Sequence, residues 1–263
     1  MKIASWNVNS LKVRLPQLTQ WLADAQPDIM ALQETKLEDA KFPVDEIAAA
    51  GYRAVFSGQK TYNGVAILAR NEPTDIVTDI PGLDDPQRRI LAATIGAPGS
   101  SPAQALRVVN LYVVNGKAVG DEKYAYKLDW LAKVREFLAR EHERHPNLVV
   151  LGDFNICPDD RDVYDPVAWG EDILCSPPER DGLKAITDLG LHDSFRLFEP
   201  AGQHYSWWDY RQAAFRRNMG LRIDLILIGD ALKSVATAAA IDREPRRWER
   251  PSDHTPVTLE LDI

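Results

Sequence analysis

The chain has 263 residues, a formal net charge of −8, 45% hydrophobic residues and 27% charged residues. That composition supplies an ordinary globular core for one large α/β domain and excludes a disordered chain. No apolar stretch approaches the roughly 20 residues that span a bilayer, which excludes a helical membrane protein.

The first residues enter a strand pattern (Lys2, Ile3, Ala4) without a signal-peptide apolar region, so a cytoplasmic location is expected. Leu15, Leu18, Trp21 and Leu22 then recur at helical spacing after Pro16. Pro27 stops that helix, and residues 28–32 run as a buried strand ending in Glu34. Further strands fit residues 64–68, 90–95 and 106–114, and residues 97–102 read as a short turn between two of them. Tyr124, Leu128, Leu131, Val134 and Leu138 form the apolar face of a longer helix. Pro146 stops it, and residues 148–151 run as a strand ending in Asp153. Strands at 205–208, 223–228 and 255–261 complete the reading. Helix, proline, buried strand and acid thus occur twice, which predicts two similar α/β layers packed face to face. No linker divides residues 1–263, so a single domain is expected. Cys157 and Cys175 read as reduced, structural thiols.

Chemistry concentrates at the strand ends. Asn7 and Asn9 follow the first strand, Glu34 the second, and the triplet Asp153, Phe154, Asn155 the strand before it. Asp224 opens a strand, and Ser252, Asp253 and His254 precede the last one. Strand ends hold scattered side chains rigidly. Hard oxygen ligands with one imidazole suit Mg²⁺ or Mn²⁺ acting on a phosphate ester. Asp153 and Asn155 are two apart, so in extended chain they point the same way. Glu34 follows a buried strand, where a carboxylate needs a metal or an ion pair, the latter to Lys36 or an arginine. Arg211, Arg216, Arg217 and Arg222 form one basic run and Arg243, Arg246, Arg247 and Arg250 another, each just before an acidic cluster. They supply the local charge that phosphate binding needs despite the acidic total, unless they pair with Asp209, Glu244 and Glu249.

These segments resemble the exonuclease III family of DNA-repair nucleases, within the endonuclease/exonuclease/phosphatase fold. The resemblance is carried by residues 2–10, 32–36, 112–116, 151–155, 220–224 and 250–254, and residues 220–224 look like the bacterial branch. One departure is Val114, which stands where many relatives carry proline and would loosen the turn presenting Asn115. The resemblance implies a four-layered α/β sandwich, with two packed mixed β-sheets flanked by helices. It implies an Mg²⁺ cofactor, with Mn²⁺ substituting, held by Glu34 as principal ligand with Asn7, Asp153, Asn155, Asp253 and His254. It also implies that Asp153 aligns or deprotonates water, that Asn155 stabilises charge on phosphorus, and that His254, oriented by Asp224, and Tyr112 contact the phosphate. Asn115, Arg216 and Arg217 would touch DNA, Trp207 and Leu221 would wall a sugar pocket, and Met219 and Arg222 would press into the minor groove. The partner implied is double-stranded DNA with abasic sites or 3′ ends, met by a monomer. The activity implied is cleavage 5′ to abasic sites, removal of 3′ nucleotides or 3′-blocking groups, or both, with the balance set by residues 169–179 and 211–219. Two alternatives stand beside it: the same fold acting on an inositol phosphate or sphingolipid, and a catalytically inactive DNA-binding module.

Overall fold

A computed structural model describes residues 1–96 and 104–263. The turn expected at 97–102 falls on a stretch outside the described residues. Two parallel strand pairs, each joined through a helix, organise the molecule. Strand β1 (Lys2–Asn7) runs through helix α1 (Leu11–Ala25) to β2 (Ile29–Gln33). Strand β7 (Leu106–Tyr112) runs through α3 (Glu122–Arg144) to β8 (Leu148–Asp153). A helical crossover is what parallel neighbours require. The expected α1 is corrected in one respect: it starts at Leu11, and Pro16 lies inside it rather than opening it.

Antiparallel strands extend each pair. Beside β1 and β2 lie β3 (Arg53–Ser57), β4 (Val65–Ala69), β11 (Ala236–Ile241) and β12 (Val257–Leu261), in the order β11-β12-β1-β2-β4-β3. Beside β7 and β8 lie β5 (Thr74–Val77), β6 (Ile90–Ile95), β9 (Leu191–Asp193) and β10 (Asp224–Gly229), in the order β5-β6-β7-β8-β10-β9. The sheets face each other across an apolar layer that includes Ile3, Ala31, Ile67, Val108, Val149, Ile226 and Leu259. Helix α1 and α2 (Val44–Ala49) cover the outside of the first sheet. Helix α3 and α5 (Pro177–Thr187) cover the second. The result is the four-layered sandwich. Short helices α4 (Pro166–Trp169), α6 (Ser194–Phe198) and α7 (Asp230–Lys233) complete the order.

One polar bridge crosses the apolar layer. The Asn110 amide donates to the carbonyls of Leu32 and Ala66, both at 2.9 Å, and accepts from Gln33 Nε2 at 2.8 Å. Gln33 also donates to Ser5 Oγ at 3.0 Å. Residues 205–208 do not form a strand as expected; Trp207 makes only isolated bridges to Leu221 and His254. Cys157 and Cys175 are buried and free. Among the described residues, no helix is long and apolar enough to cross a membrane.

Candidate active site

Register brings the acids to one edge of the sandwich. Tyr112 is paired with Asp153, and Asp153 with Asp224, on neighbouring strands of the second sheet. In the first sheet Asn7 is paired with Gln33, next to Glu34, while β12 begins opposite Ser5, close to His254. The backbone takes left-handed values where these side chains turn in, as it does at several other turns. Glu34 has φ 52°, Asn155 φ 48° and Asn9 φ 43°, all in the left-handed region that non-glycine residues rarely occupy.

The Asn7 side chain joins the two sheets. Its Nδ2 donates to Glu34 Oε1 and to Asp153 Oδ2, both at 2.9 Å, while its Oδ1 accepts from the Asn9 backbone N–H at 2.9 Å. With both ends of the amide engaged, Asn7 orients the carboxylates in this arrangement, and its Oδ1 keeps a second lone pair beyond the one the Asn9 N–H uses. Lys36 also reaches Glu34, with Nζ 2.9 Å from Oε2, and donates to Asn9 Oδ1 at 2.6 Å. The ion pair to Lys36, one of the two alternatives for Glu34, is present, and Glu34 also stands beside Asp153 and His254.

Ligand atoms of Glu34, Asp153 and His254 lie within 4.8 Å of one another. Closely spaced carboxylate oxygens at a protein edge form a donor set that fits a hard divalent cation. Asp153 is fully buried, and burial pushes its carboxyl up to about 7, with His254 and the Asn7 amide pulling down and Asp224 and Glu34 pushing up. Its negative charge is therefore short of compensation, which a cation would supply. Asp253 stands apart from that trio. Its oxygens accept from Trp207 Nε1 at 3.0 Å and from Asn9 Nδ2 at 2.9 Å.

His254 is buried with Nδ1 2.9 Å from Asp224 Oδ2, and Ser206 Oγ donates to the same oxygen at 2.6 Å. Burial opposes a charge on the ring, but Asp224, Asp153 and Asp253 outweigh it and push the imidazole up to about 10. A charged imidazolium presents an N–H from Nε2, which lies 3.8 Å from Asp153 Oδ2, beyond hydrogen-bond range. Asn155 is clamped over Asp153: its backbone N–H donates to Oδ1 at 2.9 Å and its Nδ2 to Oδ2 at 3.1 Å. Asn115 Nδ2 donates to Asn155 Oδ1 at 3.1 Å. Val114 packs into the core, and the Asn115 carbonyl accepts from Lys127 at 3.2 Å, so the turn is tied without a proline. Burial, then Glu34, hold the Tyr112 phenol well above its usual range, so it remains a donor.

Beside this edge lies a cavity of about 180 Å³ lined by Tyr164, Trp169, Trp207, Asp209, Arg211 and Met219, among others. Trp207 and Trp208 pack in different surroundings although they do not lie in a strand. Trp207 is half-buried at the cavity, and Trp208 is fully buried against Tyr205 and Phe215. Two expected DNA contacts are corrected. Leu221 is 0% exposed and sits behind Trp207 and Trp169 rather than at the surface. Arg222 is 1% exposed, with Nε 2.5 Å from Asp162 Oδ1 and Nη2 2.6 Å from Asp193 Oδ2, so it cannot reach a groove. The second basic run also divides. Arg246 is buried over Trp208, Tyr210 and Phe215 and donates to the carbonyls of Ser252 and Trp208. Arg216, Arg217 and Arg250 are exposed, while Arg211 and Arg247 approach Asp209 at 3.9 Å and Glu244 at 3.4 Å.

Arg89 escaped the sequence reading. Its guanidinium lies 4.6 Å from the Tyr112 ring centroid and bonds the Tyr112 carbonyl at 3.3 Å. Its only signal was a position at the mouth of the 90–95 strand, too general to single it out. Ser206 and Ser252 escaped for a similar reason. Their hydroxyls bond Asp224 and the Asn7 carbonyl from loops that no periodicity predicts.

Comparison with known proteins agrees with this geometry. Residues 4–254 match the model of the Endonuclease/Exonuclease/phosphatase family. The chain is 35% identical to exodeoxyribonuclease III of Haemophilus influenzae, covering 99% of this chain and 100% of that one. It superposes on the 3′ phosphatase NExo from Neisseria, solved bound to a product DNA hairpin, with TM-score 0.96, 50% identity and full coverage of both chains. An AP endonuclease from Archaeoglobus fulgidus superposes with TM-score 0.93 at 35% identity, again covering 100% of both. The chain therefore belongs to the Endonuclease/Exonuclease/phosphatase family, and within it to the exonuclease III family of DNA-repair nucleases.

Proposed function

We propose that this chain is a Mg²⁺-dependent hydrolase of phosphate esters in duplex DNA, acting at 3′ ends and 5′ to abasic sites to leave 3′-hydroxyl termini. The observation that carries it is the joining of Glu34, Asp153 and His254 at one edge, with Asn155, Tyr112 and the Asp224 partner around them. Glu34 and Asp153 would hold the cation, whose charge, when bound, stabilises the developing charge on a phosphate oxygen. Asp153, fixed by three donors from Asn7 and Asn155, is suited to orient water and accept its proton. The His254 imidazolium, held by Asp224, offers Nε2–H to a phosphate oxygen. The Tyr112 phenol adds a second donor, a neutral one, beside it. Attack by water needs no protein nucleophile, so inversion at phosphorus is expected.

Substrate choice is assigned to the cavity walled by Trp207, Trp169 and Tyr164, which would receive the sugar beside the reacting phosphate. The NExo relative, described as a 3′ phosphatase and a 3′-5′ exonuclease, supports activity on 3′ termini, and the AP endonuclease relative supports abasic-site incision. Duplexes carrying a 3′ phosphate, a recessed 3′ end or an abasic site, assayed with and without EDTA, test the reading. All activity should vanish with EDTA. Glu34→Ala should lose about a thousandfold or more in turnover at saturating Mg²⁺. Turnover within tenfold of wild type in that variant would remove Glu34 from the metal site.

A further inference from the structure

Lys127 and Glu179 form an ion pair with 0% exposure on both side chains, and the mechanism above does not use it. Lys127 stands near the start of α3 and spends its ammonium on Glu179 Oε1, on the Asn155 carbonyl at 2.7 Å and on the Asn115 carbonyl at 3.2 Å. These are the backbone anchors of Asn155, which is clamped over Asp153, and of Asn115, which bonds Asn155. Glu179, in the first turn of α5, accepts from Leu174 N–H at 3.1 Å, Ser176 N–H at 3.1 Å and Ser176 Oγ at 2.6 Å. Leu174 and Ser176 end the segment that carries Trp169 into the cavity beside Trp207. Every donor and acceptor of the pair is therefore spent on one of two walls, phosphate-side on one hand and sugar-side on the other. An apolar pair of equal volume would leave those carbonyl and N–H groups without partners, so the bonding pattern ties the geometry of both walls to this one pair.

We propose that the Lys127–Glu179 pair is a positioning strut that holds Asn155 and Asn115 in register with the sugar-side segment, and so sets both rate and lesion discrimination. The inference rests on the function proposed above. Wild-type activity tests that function, whereas the strut is tested only by comparison with wild type. The comparison is Lys127→Met/Glu179→Met against Arg107→Met/Glu141→Met. The second double variant removes another buried pair, at the far end of β7 from Tyr112, where Arg107 Nε lies 2.5 Å from Glu141 Oε2. Thermal stability, kcat and KM are measured on 3′-phosphate, abasic and undamaged 3′ duplexes. The Lys127/Glu179 variant should lose about a hundredfold in kcat with KM nearly unchanged, and its preference among the three substrates should narrow. The Arg107/Glu141 variant should show neither effect. Equal kcat losses in both, or an unchanged substrate ratio in the first, would reduce the pair to a structural one. Should the first variant not fold, Glu179→Gln keeps the Lys127 bonds to both carbonyls and loosens Leu174 and Ser176. It should narrow discrimination with a kcat loss below about tenfold, and unchanged discrimination there overturns the proposal.

Discussion

Asp153 illustrates how one side chain can be specified by everything around it. It is the end of a buried strand, so bulk water solvates it poorly; three hydrogen bonds from Asn7 and Asn155 fix its oxygens, yet burial still pushes its carboxyl up to about 7. A cation entering here must displace the proton that Asp153 carries at lower pH. The sign follows: apparent Mg²⁺ affinity should rise with pH by up to about tenfold per unit below 7 and level off above it. Calorimetric titration of Mg²⁺ between about pH 5.5 and about pH 8 checks this. Asp153→Asn should bind weakly without that slope, and a flat profile in the wild type would mean that the cation and this proton do not compete. Arg222 teaches the opposite lesson at the same scale. A run of arginines predicts surface charge, but no property of the run reveals that Asp162 and Asp193 enclose this one member.

At the scale of elements, the central strands were legible because burial on both faces demands near-continuous apolar runs, as in β2, β4, β8 and β10. Outer strands were not. Strand β5 is largely exposed, and β11 is the alanine-rich ATAAAI, whose residues have little preference for extended chain and are recruited by pairing with β12. The site was legible to the extent that it sits on those central strands. Glu34, Asp153 and Asp224 follow from strand ends, whereas Arg89, Ser206 and Lys127 depend on contacts between segments remote in sequence. Gly152 shows how tightly β8 is set. It has φ 139°, and a Cβ there would come within 1.9 Å of the Leu111 carbonyl oxygen on β7. Relieving that clash must move β8 and with it Asp153. Gly152→Ala should cost about 3 kcal/mol, or about 10 °C in Tm. The folded fraction should also lose activity, which thermal denaturation and active-fraction assays measure separately.

For the molecule as a whole, a net charge of −8 has to be reconciled with a polyanionic substrate. The described structure does this by distribution, since Arg216 and Arg217 are exposed in the segment that leads into the Trp207 cavity. Arg216→Ser/Arg217→Ser should weaken binding to every DNA substrate and lower the slope of log K against log salt by about 2. Fluorescence anisotropy across a salt series measures the slope. A slope equal to that of wild type would locate the DNA path on another face.

The Asn110–Gln33 bridge has a consequence that reaches the chemistry. Two greasy sheet faces can slide over each other with little change in buried area, so contact alone does not choose an alignment. The amide of Asn110, reaching into carbonyls of β2 and β4, acts as a key that fits at one offset only. Glu34 belongs to one sheet and Asp153 to the other, and Asn7 spans them with a single nitrogen. A slip of one residue would leave each half intact and the cation without a home. The enzyme is in this sense a two-part lock whose tumblers lie deep in the interior, away from the reacting phosphate.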